Sequence, residues 1–273
     1  ALAELAGKVR PLAVITASAA DAQRLLEEIP FFDPALTVHL LPDWETLPYD
    51  HFSPHQDLVS ERLATLYQIT QQAFDIVVVP VTTALYRLTP IEYLAARTFF
   101  FKQGEKLAAD ELRRQLAIAG YTHVKQVVTP DEDGQTRFRK NFRARFEGDP
   151  SRSRLYKDVS NGIAPAGVEY YLPLFFEHTA LLTDYLPPAT TLVLHHDVTP
   201  AIERFWQDTQ ARYELLGGNR AEPLLAPREL FLTTDAFFGA IKPFARVEIA
   251  APVAPQSETT ESAAPAGTTP ESP

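Results

Sequence analysis

A doubly wound α/β fold with a parallel central sheet is predicted by three features of the first hundred residues. Short apolar runs of strand length alternate with segments of helical periodicity, the runs carry almost no charge, and the connections between them are long enough for crossover helices. Leu12–Thr16 (LAVIT) reads as the first strand. Ala19–Ile29 follows as a helix, with Asp21 near its start and Leu25, Leu26 and Ile29 at helical spacing. Thr37–Leu41 reads as a second strand, and Leu58–Ile69 as a second helix whose stripe is Leu58, Leu63, Leu66 and Ile69. Phe74–Val79 is a third strand, β-branched and uncharged after Asp75, as expected of a parallel strand covered on both faces. Upstream of all these, Ala1-Leu2-Ala3-Glu4-Leu5 looks like a helix already under way. With no methionine anywhere in the chain, this suggests a segment of something longer.

Pro42–Asp57 (PDWETLPYDHFSPHQD) joins the second strand to the second helix. Pro42, Pro48 and Pro54 fix φ at three points and make a stiff loop, with Trp44, Tyr49 and Phe52 expected to pack beneath it. Beyond Pro90, Thr98–Lys102 reads as a strand, Ala108–Ala119 as a helix stopped by Gly120, and Val124–Val128 as a strand with no evident partner. Gln135–Tyr156 reads as helical and basic, with Arg137, Arg139, Lys140, Arg143, Arg145, Arg152 and Arg154, and Lys157 just after, against Glu147 and Asp149. Phe138, Phe142 and Phe146 recur every fourth residue and form an aromatic stripe. Thr191–His195 is a further strand, Pro200–Leu216 a long helix closed by Gly217-Gly218, and Phe244–Ile249 a last strand. Ala250–Pro273 is almost entirely Ala, Pro, Ser, Thr and Glu, the composition of a disordered linker.

Composition removes several classes of function. The 273 residues carry a net charge of −10 and are 45% hydrophobic, enough to build a core. The absence of cysteine excludes disulfides, thiolate metal sites and a cysteine nucleophile. The apolar runs are far shorter than the ~20 residues of a membrane span, and no signal-peptide pattern opens the chain, so a cytoplasmic protein is expected. No phosphate loop is present: Gly7-Lys8 is followed by Val9, and no glycines are spaced G-x-G. Asp131-Glu132-Asp133 reads as the acidic start of a helix rather than a metal motif. His195-His196-Asp197 lacks a further ligand at recognisable spacing, His51 and His55 stand in a proline-rich loop, and Ser53 and Ser60 have no glycine elbow. The expectation is therefore no catalytic, cofactor-binding or metal-binding residue. Five cations, Arg137, Arg139, Lys140, Arg143 and Arg145, are the candidates for nucleic-acid contact. The competing interpretation of the same helix is a solvated face, or one satisfied by ion pairs within the chain.

Several stretches carry a family resemblance. LPDWETLPYDHFSPHQDLVSERLATLYQI (41–69), FDIVVVPVTTALYRLTP (74–90), GEKLAADELRRQLAIAGYTHVKQV (104–127) and RFEGDPSRSRLYKDVSNGIAPAGVEYYLPLFF (145–176) resemble the N-terminal module of bacterial transcription-repair coupling factors. That module is itself similar to the excision-repair protein UvrB. A fragment of UvrB is the near alternative, but its long DNA-clamping hairpin has no room between Leu47 and the next helix. The resemblance implies a non-catalytic interaction and regulatory module. Its parent would be an ATP-dependent translocase of the superfamily 2 helicase type, which displaces stalled RNA polymerase from double-stranded DNA and recruits UvrA in nucleotide excision repair. ATP and magnesium would belong to motor domains outside this chain. The family pattern continues after Val124–Val128 with a G-E-Y-x-x-R-G segment and more strands of a UvrA-docking sheet. Here Val128 runs directly into Thr129-Pro130-Asp131, so most of that sheet is missing, through a gene deletion or through excised or unobserved residues.

The expected organisation is a first part of the α/β domain over residues 1–97, a truncated remnant of the docking domain over 98–130, the helical and α/β remainder over 131–249, and the linker over 250–273. An autonomous nucleic-acid-binding protein acting through the basic helix is the alternative of a different class. It would show steeply salt-dependent affinity.

Overall fold

The computed structural model describes residues 1–97, 108, 112, 132–219 and 221–250. The strands expected at 98–102 and 124–128, most of the 108–119 helix and all but the first residue of the 250–273 linker lie outside the described residues.

Five parallel strands form the sheet: β1 (Leu12–Thr16), β2 (Val38–Leu40), β3 (Ile76–Pro80), β4 (Thr191–His195) and β5 (Ala245–Ile249), in the order β2-β3-β1-β4-β5. The doubly wound expectation holds. β1, β3 and β4 are buried throughout, which is why their sequences need no polar alternation. Side chains of β1 divide by pleat: Leu12 and Val14 face the helices Leu2–Lys8 and Ala19–Phe32, while Ala13 and Ile15 face Gln56–Thr70, Thr199–Leu216 and Thr234–Ile241. At the edge, β5 exposes Arg246 and Glu248, which pair at 3.2 Å and leave a charged border unsuited to further strand addition. β4 and β5 thus join the chain's last third to the sheet begun by its first eighty residues. Among the described residues, no helix is long and apolar enough to cross a membrane.

Three element readings need correction. The basic helix is shorter than expected: it spans Glu132–Arg145, and a turn through Gly148, whose φ of +99° favours glycine, separates it from a 3₁₀ turn at Pro150–Arg152 and a helix at Arg154–Ser160. Asp149 accepts from Ser151 N at 2.9 Å and Ser153 Oγ from Tyr156 N at 3.3 Å, so each new turn has its own cap. The buried face of Gln56–Thr70 is not the anticipated leucine stripe. Arg62 and Thr65 are buried with Leu66 and Ile69, whereas Leu58 and Leu63 are only half-buried, because Thr65 Oγ1 donates to Leu40 O at 2.8 Å and fixes the helix's rotation. Phe52 is 77% exposed rather than packed under its loop.

The segment between β3 and β4, joined by Tyr49 from the loop after β2 and by Leu225, Leu230 and Phe231 from beyond β4, builds a second core beside the sheet. Phe138, Phe142, Tyr156, Tyr170, Tyr171, Phe175 and Phe231 are its large members. The stiff loop closes over it. Tyr49, 3% exposed, sends its hydroxyl to Leu225 O at 2.8 Å, Tyr170 donates to Leu47 O at 2.9 Å, and Arg212 Nε donates to Pro48 O at 2.6 Å while its guanidinium pairs with Asp50. Gly167, at φ +81°, lets the opposite wall approach: a Cβ there would stand 3.4 Å from Asp50 O.

Candidate functional site

Two places concentrate chemistry, the basic helix and the carboxyl edge of the sheet. Along Glu132–Arg145, Phe138 and Phe142 are buried in the aromatic core, and their spacing turns the cations outward or sideways. Arg145 is committed within the chain. It donates from Nε to Glu229 Oε1 at 3.0 Å and from an Nη to Oε2 at 2.7 Å, a two-bond fork that lowers the Glu229 carboxyl's pKa. Arg143 lies over the Tyr156 ring at 5.5 Å, and Arg139 donates to Thr136 Oγ1 at 3.1 Å. Arg137 is half-buried beside a cavity of about 190 Å³ that Tyr93, Glu169 and Phe176 also line. Lys140 is exposed. The five expected contact residues therefore share one helix without forming one free cationic face.

At the carboxyl edge, the chain leaves β1 toward β2 on one side and leaves β4 toward β5 on the other. Such a divergence between neighbouring strands is where open α/β sheets hold ligands. Only Ala17 and Ser18 separate β1 from the helix Ala19–Phe32. No glycine is available there for a phosphate to approach the backbone. Ser18 Oγ accepts from Asp21 N at 3.1 Å, and the Asp21 carboxylate takes bonds from Ser18 Oγ at 2.8 Å and Arg24 at 2.9 Å. A carboxylate at this helix start occupies the electrostatic position that a phosphate takes in nucleotide-binding relatives of this architecture. The Ser18 hydrogen bond is the main reason its pKa falls below the ordinary carboxylate value, with burial opposing. Across the crevice stand His195 and His196, and burial keeps the pKa of His195 below its usual value. No spacing rule could have joined Asp21 to residues 195–196, because only the β1–β4 pairing brings them together.

The other signature residues hold the fold. Trp44, half-buried, lies under the Arg62 guanidinium at 4.0 Å. Arg62 is 2% exposed and donates to Pro42 O, and burial lowers its pKa to about 10. The loop that carries the resemblance is therefore a clamp between β2 and the aromatic core.

No family model matches this chain. Full-length relatives do. The transcription-repair-coupling factor of Escherichia coli (strain K12) is 34% identical over 300 residues, covering 88% of this chain and 26% of that protein. The chain is homologous to transcription-repair-coupling factors. That of Haemophilus influenzae is 31% identical over 314 residues, covering 90% of this chain and 27% of the relative, and that of Rickettsia bellii is 22% identical over 288 residues. This homologue of the coupling factors spans about a quarter of the length of the curated relatives it matches. The alignment to the E. coli coupling factor has 300 positions but uses only 88% of 273 residues, so roughly 60 positions have no counterpart here.

Proposed function

We propose that this chain is the UvrB-like module of a transcription-repair coupling factor and that it works without catalysis, as a docking and regulatory part of a larger protein. In that protein, motor domains outside this chain would use ATP and magnesium to drive translocation on double-stranded DNA, displace stalled RNA polymerase and bring UvrA to the lesion. The observation that carries the non-catalytic reading is the two-residue turn between β1 and the Ala19–Phe32 helix, where the Asp21 carboxylate stands at the helix start. A nucleotide phosphate there would meet a like charge instead of backbone donors. The nucleic-acid reading of Arg137, Arg139, Lys140, Arg143 and Arg145 is weaker, since Arg145 is spent on Glu229 and Arg143 lies against Tyr156.

Two measurements test the proposal. Titration with magnesium-ATP should give no heat of binding, and micromolar affinity would defeat the non-catalytic reading. In a pull-down, UvrA should be retained poorly by this chain and well by a version with the family's missing strands restored after Val128. A docking surface built on a sheet needs its neighbouring strands, and unpaired strand edges are costly to bury. Equal retention of UvrA by both would place the docking surface elsewhere.

A further inference from the structure

Consecutive residues of a strand point to opposite faces, so His195 and His196 would diverge if the backbone stayed extended past β4. It does not. His196 has a φ of +66°, a left-handed conformation uncommon outside glycine, and its ring turns back to lie 4.0 Å from that of His195, centroid to centroid, at 35°. Asp21, from the first turn of the neighbouring helix, places Oδ2 3.9 Å from His196 Nδ1. One ligand atom from each of the three residues lies within 4.8 Å of the others, the single such grouping found among the described residues. His195 is 7% exposed, and its Nδ1 has no hydrogen-bond partner among the described residues. Buried polar atoms are rarely left unpaired without a reason.

We propose that Asp21, His195 and His196 form a binding site for a divalent metal of the zinc class at the carboxyl edge between β1 and β4. Two imidazoles and a carboxylate are a donor set suited to Zn²⁺, with bonds of about 2.0–2.2 Å. Closing the present separations, up to 4.8 Å, to the roughly 3.3 Å between ligand atoms of a tetrahedral site takes side-chain movements of up to about 1.5 Å. The surroundings are arranged to orient the carboxylate: Arg24 holds Oδ1 at 2.9 Å, and Ser18 Oγ donates to Oδ2 at 2.8 Å. Arg24 also reaches Glu28 at 3.6 Å, which offsets its charge toward an incoming cation. The partial exposure of Asp21 and His196 leaves an entry path and an open fourth position for water. A plain His196–Asp21 ion pair would not require the His195 ring to lie against His196, whereas ligation of one ion by both imidazoles does require them on the same side.

The test uses the untagged chain after chelator treatment, titrated with zinc chloride by calorimetry and with cobalt(II) by visible absorption. We expect one zinc per chain, a cobalt spectrum of low coordination number, and a melting temperature raised by zinc. His196→Asn keeps a residue tolerant of the left-handed backbone while deleting the imidazole, and Asp21→Asn removes the charge. Each should weaken zinc binding at least about tenfold and abolish the thermal shift, with an unchanged far-ultraviolet spectrum showing that the fold survives. His39→Gln, at the half-buried histidine of β2 whose Nε2 bonds to Ala73 O, should leave zinc affinity unchanged. Equal zinc affinity in wild type and both site variants would overturn the proposal, and so would absence of binding to the wild type.

Discussion

Replacing Phe138 by alanine should destabilise the protein by about 3–5 kcal/mol, the cost of emptying a fully buried aromatic site. Its ring stacks on Phe175 at 4.9 Å between centroids and packs against Phe142 at 5.5 Å and Tyr156 at 6.3 Å, with none of its surface exposed. These partners come from three separate elements of the segment between β3 and β4, so the cavity cannot collapse by moving one of them. Urea unfolding followed by circular dichroism measures the loss, and Lys140→Gln, on the exposed side of the same helix, should leave the midpoint where it is. The contrast separates the helix's two roles. A loss below about 1.5 kcal/mol for Phe138→Ala would mean that the helix is not anchored by its aromatic stripe, and would return weight to a cationic binding surface.

Arg62→Ala should cost about 2–4 kcal/mol, although no carboxylate among the described residues forms a close ion pair with Arg62. The buried guanidinium donates to Pro42 O and covers the Trp44 ring at 4.0 Å. Truncation leaves a carbonyl without its donor, removes the cation–π contact and opens space beside Leu66 and Tyr86. Trp44 fluorescence should shift to the red as the ring gains water. Arg62→Met, which keeps the aliphatic stem, should recover part of the stability but not the original emission. Equal stability of Arg62→Ala and wild type would show that the loop is held by its prolines and Tyr49 alone.

Most of the α/β core was legible because its signals are local. Leu12–Thr16 and Thr191–His195 are strands of the expected length, and the helices that begin at Ala19, Gln56 and Thr199 start within two residues of their expected positions. Local signals misled where a distant partner intervened. Arg62 lies off the expected leucine stripe of its helix, yet its partners on the Pro42–Asp57 loop draw it inside. The basic run looked like one helix because its charge is continuous, while Gly148 and the caps at Asp149 and Ser153 divide it.

The amino-acid sequence by itself determined the layered parallel architecture, the aromatic stripe of the basic helix, the absence of a glycine-rich phosphate loop and the kinship with coupling factors. Each of these is written in residue type and spacing along a continuous stretch. Only the tertiary structure decided strand order, the pairing of Arg145 with Glu229, and the meeting of Asp21 with His195 and His196. Those contacts join residues separated by 84 to 175 positions. The meeting of Asp21 with the two histidines exists because β4, after more than a hundred residues outside the sheet, returns to pair with β1, a choice made by burial of its apolar strand within the sheet rather than by any local preference.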